Sequence, residues 1–241
     1  MLKVEALQHP LSIDRFHDGG GYTFPIPPLV QTNLFLKIAC VDQLYIKVPS
    51  ERGLADYRKF VKHAQTGPED IRPLEEQERF ERLQETLITL PDLAPLTSVS
   101  TELAHYVAVH KLQYERLRKQ DAVKIPKAKF GTLQFKGRGF FRRFEPALFQ
   151  ERIGGTTLWS MFDFEALAVM PRWRPFLSTI SAQLSALLDS GLELQIDWNI
   201  QNFVFEEAEG HLFYVDLKPT TFVAKQSNED NLRGIRKYFL V

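Results

Sequence analysis

The sequence predicts an α+β fold arranged as two lobes. Three observations carry that expectation. Strand-like runs mixed with turns occupy the first third, and strand-like sequence returns between residues 124 and 153. A short connection around Gln150–Gly155 follows them. Helices then dominate, interrupted by one late hairpin. Elements grouped in this way, strands first and helices after, belong to the α+β class.

Each element has a local signature. The stretch "FHDGGGYTFPIPPL" holds Gly19, Gly20 and Gly21 among prolines and reads as a loop. "LFLKIACVDQLYIKVP", residues 34–49, sets two runs of β-branched, aromatic and aliphatic residues about a Val-Asp-Gln turn, which predicts a β-hairpin. Residues 50–98 are charged and broken by Gly67-Pro68, Pro73 and Pro91, as expected of a helical insertion. Residues 100–120 predict a long helix, with Ser100 or Thr101 as cap and a face of Leu103, Val107, His110 or Lys111, Tyr114 and Leu117. Residues 124–153 are strand-like again. After Gly154-Gly155 the pattern predicts a short helix over 156–168 and a longer one over 172–190, with Phe176, Ile180, Leu184, Leu187 and Leu188 on its apolar face and Gly191 as its stop. "NFVFEEAEGHLFYVDL" predicts a second hairpin, with Glu-Gly at its turn. A short helix over about 228–239 closes the order. The expected division is a first lobe over 1–149, a hinge over 150–155 and a second lobe over 156–241.

Composition bounds the function classes. Of 241 residues, 44% are hydrophobic and 25% charged, which is globular and not disordered. The formal net charge is zero, so no broad electrostatic footprint for nucleic acid or anionic lipid is expected. Cys40 is the single cysteine and precludes an intramolecular disulfide, as suits a reducing compartment. The N-terminal stretch has no apolar h-region and no run approaches a membrane span, so a cytoplasmic protein is expected.

The chemistry centres on "LQIDWNIQNFVF", residues 194–205. Asp197 with Asn202 five residues on is a weak signal alone, since both are turn formers. Its companions give it weight. "LFYVDLKP" follows as an apolar strand ending in Asp216. "ALFQERIGGTTLW" precedes it as a strand running into a glycine turn. Further upstream stand "LYIKVP", a strand containing Lys47, and the helix carrying Glu115.

In this order of residues the chain resembles the protein-kinase-like superfamily, including small-molecule kinases of the aminoglycoside phosphotransferase type and small atypical kinases. The resemblance covers roughly residues 30–220 and is most specific in its C-terminal half. It implies a two-lobed kinase-like fold with a minimal C-lobe and an ATP-dependent phosphotransferase that uses Mg²⁺. Asp197, in a catalytic loop over 195–202, would accept or orient the acceptor hydroxyl. Asn202 and Asp216 would bind the metal. Lys47 would hold the α- and β-phosphates and Glu115 would pair with it. Backbone groups of Glu151, Arg152 and Ile153 would take the adenine, and Lys218 would help hold phosphate. The implied partners are ATP and an acceptor, small molecule or protein, that the sequence does not identify.

The chain departs from the family pattern in several places. Gln195 stands where His or Tyr is usual, Asp216-Leu217-Lys218 replaces Asp-Phe-Gly, and the glycine triplet does not fit G-x-G-x-x-G. Lys218 could also replace a metal charge. Lys37 rivals Lys47, and Glu75, Glu76, Glu78 and Glu81 rival Glu115. These departures keep open an inactive pseudokinase or nucleotide-binding partner module, and since function lives in the site and not the fold, transfer of a nucleotidyl group is a further alternative.

Overall fold

The computed structural model describes residues 2–3, 12–18, 21–25, 30–31, 36–49, 110–136, 145–192, 196–217 and 225–240. The expected insertion 50–98, Gly19, Gly20, Gln195, Lys218 and the first half of the 100–120 helix lie outside them. Among the described residues the protein is a mixed α+β structure of two compact units. One unit comprises Met1–Leu112 and Lys127–Arg152, the other Gln113–Pro126 and Ile153–Val241. The first unit thus ends inside the expected 150–155 hinge. The segment Gln113–Pro126, assigned from sequence to the first lobe together with Glu115, groups with the second unit.

The first unit holds a seven-stranded mixed sheet. Its strands are β1 (Leu2–Lys3), β2 (Gly21–Pro25), β3 (Val30–Gln31), β4 (Leu36–Val41), β5 (Leu44–Pro49), β6 (Ala128–Lys136) and β7 (Glu145–Glu151), in the order β1-β2-β6-β7-β5-β4-β3. β4 and β5 form the expected hairpin, with Val41 paired to Leu44 across a tight turn. Asp42 has φ +51° there, a conformation that Asp tolerates better than most residues. Period-2 alternation sends Leu44, Ile46 and Val48 of β5 into one core with Ile13, Phe16, Tyr22, Leu133, Ala147 and Phe149. Phe16 stacks on Phe149 at 4.4 Å between ring centroids. Lys47 therefore belongs to the opposite face, in register with Leu148 and, one strand further, Phe130.

The second unit is built on a three-stranded sheet, β12-β11-β8. β8 is Thr156–Thr157, β11 is Phe203–Glu206 and β12 is His211–Tyr214. The β11–β12 hairpin is the second one expected from sequence. Gly210 closes its turn at φ +68°, where an L side chain would be strained. The Leu177–Asp189 helix buries Ile180, Ser181, Leu184 and Leu187. Its Gln183 grips the hairpin turn at both ends, donating to Gly210 O at 2.9 Å and accepting from Leu212 N at 2.9 Å. Residues 110–117 are helical, with His110, Gln113, Tyr114 and Leu117 buried along one face. Lys124 then pairs alongside β12, its N donating to Leu212 O and its O accepting from Tyr214 N.

The helix expected over 156–168 is not formed as such. Only Leu158–Met161 is helical, capped by the Thr157 hydroxyl. The chain then makes a small hairpin of β9 (Phe162–Asp163) and β10 (Ala168–Val169). The reason is local. Asp163 Oδ1 accepts from the N–H groups of Glu165 (2.9 Å) and Ala166 (3.0 Å), offering the backbone a turn in place of helix. Pro171–Phe176 is a 3-10 segment, so the longer helix starts at Leu177 and not at 172. The final helix, Lys225–Tyr238, begins a few residues earlier than expected. No helix among the described residues is long and apolar enough to cross a membrane.

The two glycines after β7 are not equivalent. A Cβ on Gly155 would lie 2.5 Å from Phe205 O and 2.8 Å from Val204 Cγ1, because β8 runs directly against β11. A Cβ on Gly154 would meet nothing within 4 Å. Gly155→Ala is expected to cost about 1–3 kcal/mol through forced backbone displacement, whereas Gly154→Ala stays within about 0.5 kcal/mol of the parent. Urea unfolding midpoints of the two variants check this, and equal midpoints contradict it.

Candidate active site

The site grows from the open end of the β11–β12 hairpin. Phe203, Phe205, Leu212 and Tyr214 are buried along it and fix its register in the core. Beyond the last strand pair, Val215 N donates to Asn202 O at 2.9 Å. That bond brings Asn202, at the start of one strand, to the same end as Asp216, just past the other. Asn202 closes the 3-10 turn Ile200–Asn202, capped by Asn199, whose side chain accepts from Gln201 N at 3.0 Å.

Before that turn runs Ile196-Asp197-Trp198, buried and outside any helix or strand. A buried loop must find partners for its peptide groups, and side chains supply them here. Asp197 N donates to Tyr214 Oη at 3.0 Å. Trp198 N donates to Asn228 Oδ1 at 2.8 Å, and Asn228 Nδ2 donates to Ile196 O at 2.9 Å. Asn202 Nδ2 donates to Asp197 O at 3.2 Å. Asp197 Oδ1 accepts from Asn199 N at 3.2 Å. The Trp198 indole is fully buried, stacked on Phe203 at 5.8 Å, so it anchors the loop.

The electrostatics place Asp197 and Asp216 about one group. The Tyr214 phenol is pushed well above its usual range, first by complete burial, then by the carboxylates of Asp216 and Asp197, with the Asp197 N–H opposing them. Asp197 and Asp216 are themselves buried.

Among the described residues no three His, Cys, Asp or Glu side chains gather as a metal cage. What the hairpin end offers is the Asp216 carboxylate together with the Asn202 amide oxygen. Because Asn202 Nδ2 is committed to Asp197 O, its Oδ1 is oriented by that bond and has no hydrogen-bond partner among the described residues. A carboxylate and an amide oxygen are hard donors. They suit Mg²⁺ completed by phosphate and water, and not a cation held by protein alone.

The other residues singled out from sequence lie as follows. Lys47 is buried on β5 in the first unit. Glu115 is half-buried on the 110–117 helix and belongs to the second unit. Glu151 and Arg152 close β7, and their N–H groups donate to Lys127 O (2.9 Å) and Gln43 O (2.8 Å). Glu151 also accepts from Lys127 N through Oε2 at 3.2 Å. Ile153 N–H is the one of the three with no bonded partner among the described residues. The adenine contact expected of Glu151–Ile153 thus narrows, for N–H donors, to Ile153.

Two residues were missed in sequence, Tyr214 and Asn228. Tyr214 reads there as one more aromatic in a strand. Asn228 did carry a signal. It continues the buried stripe Leu232, Ile235 and Phe239 of the last helix by one turn, at the 3–4 spacing where an apolar residue is expected.

Tyr214→Phe removes the acceptor of a buried N–H and is expected to lower stability at pH 7 by about 1–3 kcal/mol. The folded state holds the Tyr214 proton more tightly than the unfolded chain does. Its linked stability is therefore complete below about pH 10, the ordinary phenol range, and is lost as pH rises beyond it. The variant lacks that loss, so the gap between the two proteins should narrow above pH 10. Urea titrations at neutral and alkaline pH measure the gap, and a gap that widens contradicts the assignment.

With this geometry in hand, comparison with protein-family models gives no match, and comparison with curated proteins gives none either.

Proposed function

We propose that the protein is an ATP-dependent phosphotransferase of kinase-like fold acting on a hydroxyl acceptor. The observation that carries the reading is the bond from Asn202 Nδ2 to Asp197 O. It ties the Asn202 amide oxygen, Asp197 and the Asp216 hairpin end into one arrangement. The order of Lys47, Glu115, Asp197, Asn202 and Asp216 along the chain supports it by resemblance.

On this reading Asp197 takes the proton of the acceptor hydroxyl as that oxygen attacks the γ-phosphorus. The bond from phosphorus to the β,γ-bridging oxygen breaks, and ADP leaves with the electron pair. Such transfers need positioning and charge neutralisation more than covalent help from the protein. Asn202 and Asp216 would hold Mg²⁺, which when bound neutralises phosphate charge. Lys47 would bind the α- and β-phosphates, directed by Glu115, and Lys218 would lie near the phosphates. Ile153 N–H would donate to the adenine.

A second reading follows from Gln195, Lys218 and the ill-fitting glycine triplet. It makes the protein a nucleotide-binding module without transfer activity. Turnover of Mg²⁺-ATP and autophosphorylation, with thermal shifts by ATP with and without Mg²⁺, separate the two. The phosphotransferase reading expects turnover by the parent protein and a loss of about 10²–10⁴-fold in kcat for Asp197→Asn. It also expects the Mg²⁺-dependent part of the shift to vanish in Asp216→Ala. A shift without turnover selects the binding module. Neither turnover nor a shift, even at ATP near 1 mM, about a typical upper KM, sinks both.

A further inference from the structure

We infer that Asn228 is the positioning residue of this site. Its carboxamide bonds the peptide groups on both sides of Asp197 and so makes the direction of that carboxylate depend on docking of the C-terminal helix. The kinetic part of the inference rests on the phosphotransferase reading; the structural part does not.

Three features support it. Asn228 spends its whole side chain on the loop. Oδ1 accepts from Trp198 N at 2.8 Å while Nδ2 donates to Ile196 O at 2.9 Å. Only one orientation of the amide meets both bonds, since the reverse would set N–H against N–H and oxygen against oxygen. The pair therefore fixes two consecutive peptide planes, the ones that flank the Asp197 Cα, and with them the direction of its Cβ.

The helix that presents Asn228 is itself firmly seated. Leu232, Ile235 and Phe239 are buried along the same stripe, and Phe162 meets Tyr238 at 4.8 Å and Phe239 at 6.1 Å. Asn228 falls in the first turn, one step beyond this stripe. An apolar residue there would extend the packing but leave Ile196 O and Trp198 N without these partners. Asn228 is half-buried there, and both of its bonds go to the Asp197 loop.

Asn228 also acts from a different part of the fold than the other two supports. Tyr214 holds Asp197 N and Asn202 holds Asp197 O, each from the adjacent hairpin. Asn228 is the clamp that comes from a separate element, 30 residues downstream of Trp198. Anything that moves the start of this helix would move the loop.

The test uses the full chain with Asn228→Ala and Asn228→Asp. Aspartate keeps the acceptor for Trp198 N but at neutral pH cannot donate to Ile196 O. Amide hydrogen exchange at Trp198 is read beside kcat and KM for Mg²⁺-ATP. Asn228→Ala is expected to speed Trp198 exchange relative to the amides of the Leu177–Asp189 helix. It should also lower kcat about 10- to 100-fold, the scale of a small misplacement, with KM within about twofold. Asn228→Asp should recover Trp198 protection and an intermediate kcat. Unchanged Trp198 protection in the alanine variant overturns the proposal. So does a uniform rise in exchange across the unit, with no selective effect at Trp198. If Asn228→Ala does not fold, Asn228→Asp decides: a selective fall in kcat supports the clamp and a kcat equal to the parent's overturns it. If the parent protein turns over no ATP, the phosphotransferase reading fails on its own account, and Trp198 exchange alone decides the clamp.

Discussion

Everything at the candidate site depends on how the buried peptide groups of Ile196, Asp197 and Trp198 are bonded. The segment sits in the core of the second unit, with Ile196 and Trp198 fully inaccessible. It has no helical or sheet ladder to satisfy its backbone. An unbonded buried N–H or C=O costs about 1–3 kcal/mol, so several orphans together would rival the stability of a small domain, about 5–15 kcal/mol. Side chains from three places prevent that: Tyr214 from the end of β12, Asn202 from the start of β11 and Asn228 from the last helix. The loop is consequently held in one geometry by groups that are themselves held, as the phosphotransferase reading would require of Asp197.

Those supports are linked to one another. Tyr214 and Asn202 stand on one hairpin, closed at their end by Val215 N to Asn202 O. At the far end Gln183 fixes the turn through Gly210 O and Leu212 N. Phe203 packs against both Trp198 and Tyr214, at 5.8 and 5.3 Å between ring centroids. On the outer side of β11, β8 approaches so closely that only glycine fits at position 155. A displacement in any of these contacts would be felt at Asp197, because packed interiors transmit strain and do not absorb it.

What could be read from sequence follows from what is local. Both hairpins and the Leu177–Asp189 helix were legible because their periods, 2 and 3.6, are properties of short windows. Asp197, Asn202 and Asp216 were legible because their spacing on one hairpin and its entry is a sequence quantity. The 156–168 segment was misread because the Asp163 side chain competes for the backbone N–H groups of Glu165 and Ala166, and periodicity takes no account of that. Tyr214 and Asn228 escaped for a different reason. Tyr214 acts over 17 residues and Asn228 over 30 and 32. Such pairings exist only once the chain is folded. Even so, an Asn in line with Leu232, Ile235 and Phe239 breaks the apolar pattern, and that break marked where to look.

Charge explains why the central support is a tyrosine. Burial first, and then the Asp216 and Asp197 carboxylates, push the Tyr214 phenol well above its usual range, so it stays neutral. A neutral phenol accepts the Asp197 N–H without adding a third negative charge. A carboxylate in its place would also accept that bond, but it would stand beside two others, and like charges at short range cannot all stay ionised. Histidine could become cationic and pair with one of them, drawing that carboxylate away from a ligand. Tyrosine supports the backbone and leaves the negative field of Asp197 and Asp216 in place. On the phosphotransferase reading that field has a consequence for the nucleotide. Bare ATP carries charge of the same sign and is opposed by it, whereas ATP with its divalent cation bound presents a positive centre to Asp216 and the Asn202 amide oxygen. On that reading the two carboxylates would then select the metal complex over the free nucleotide.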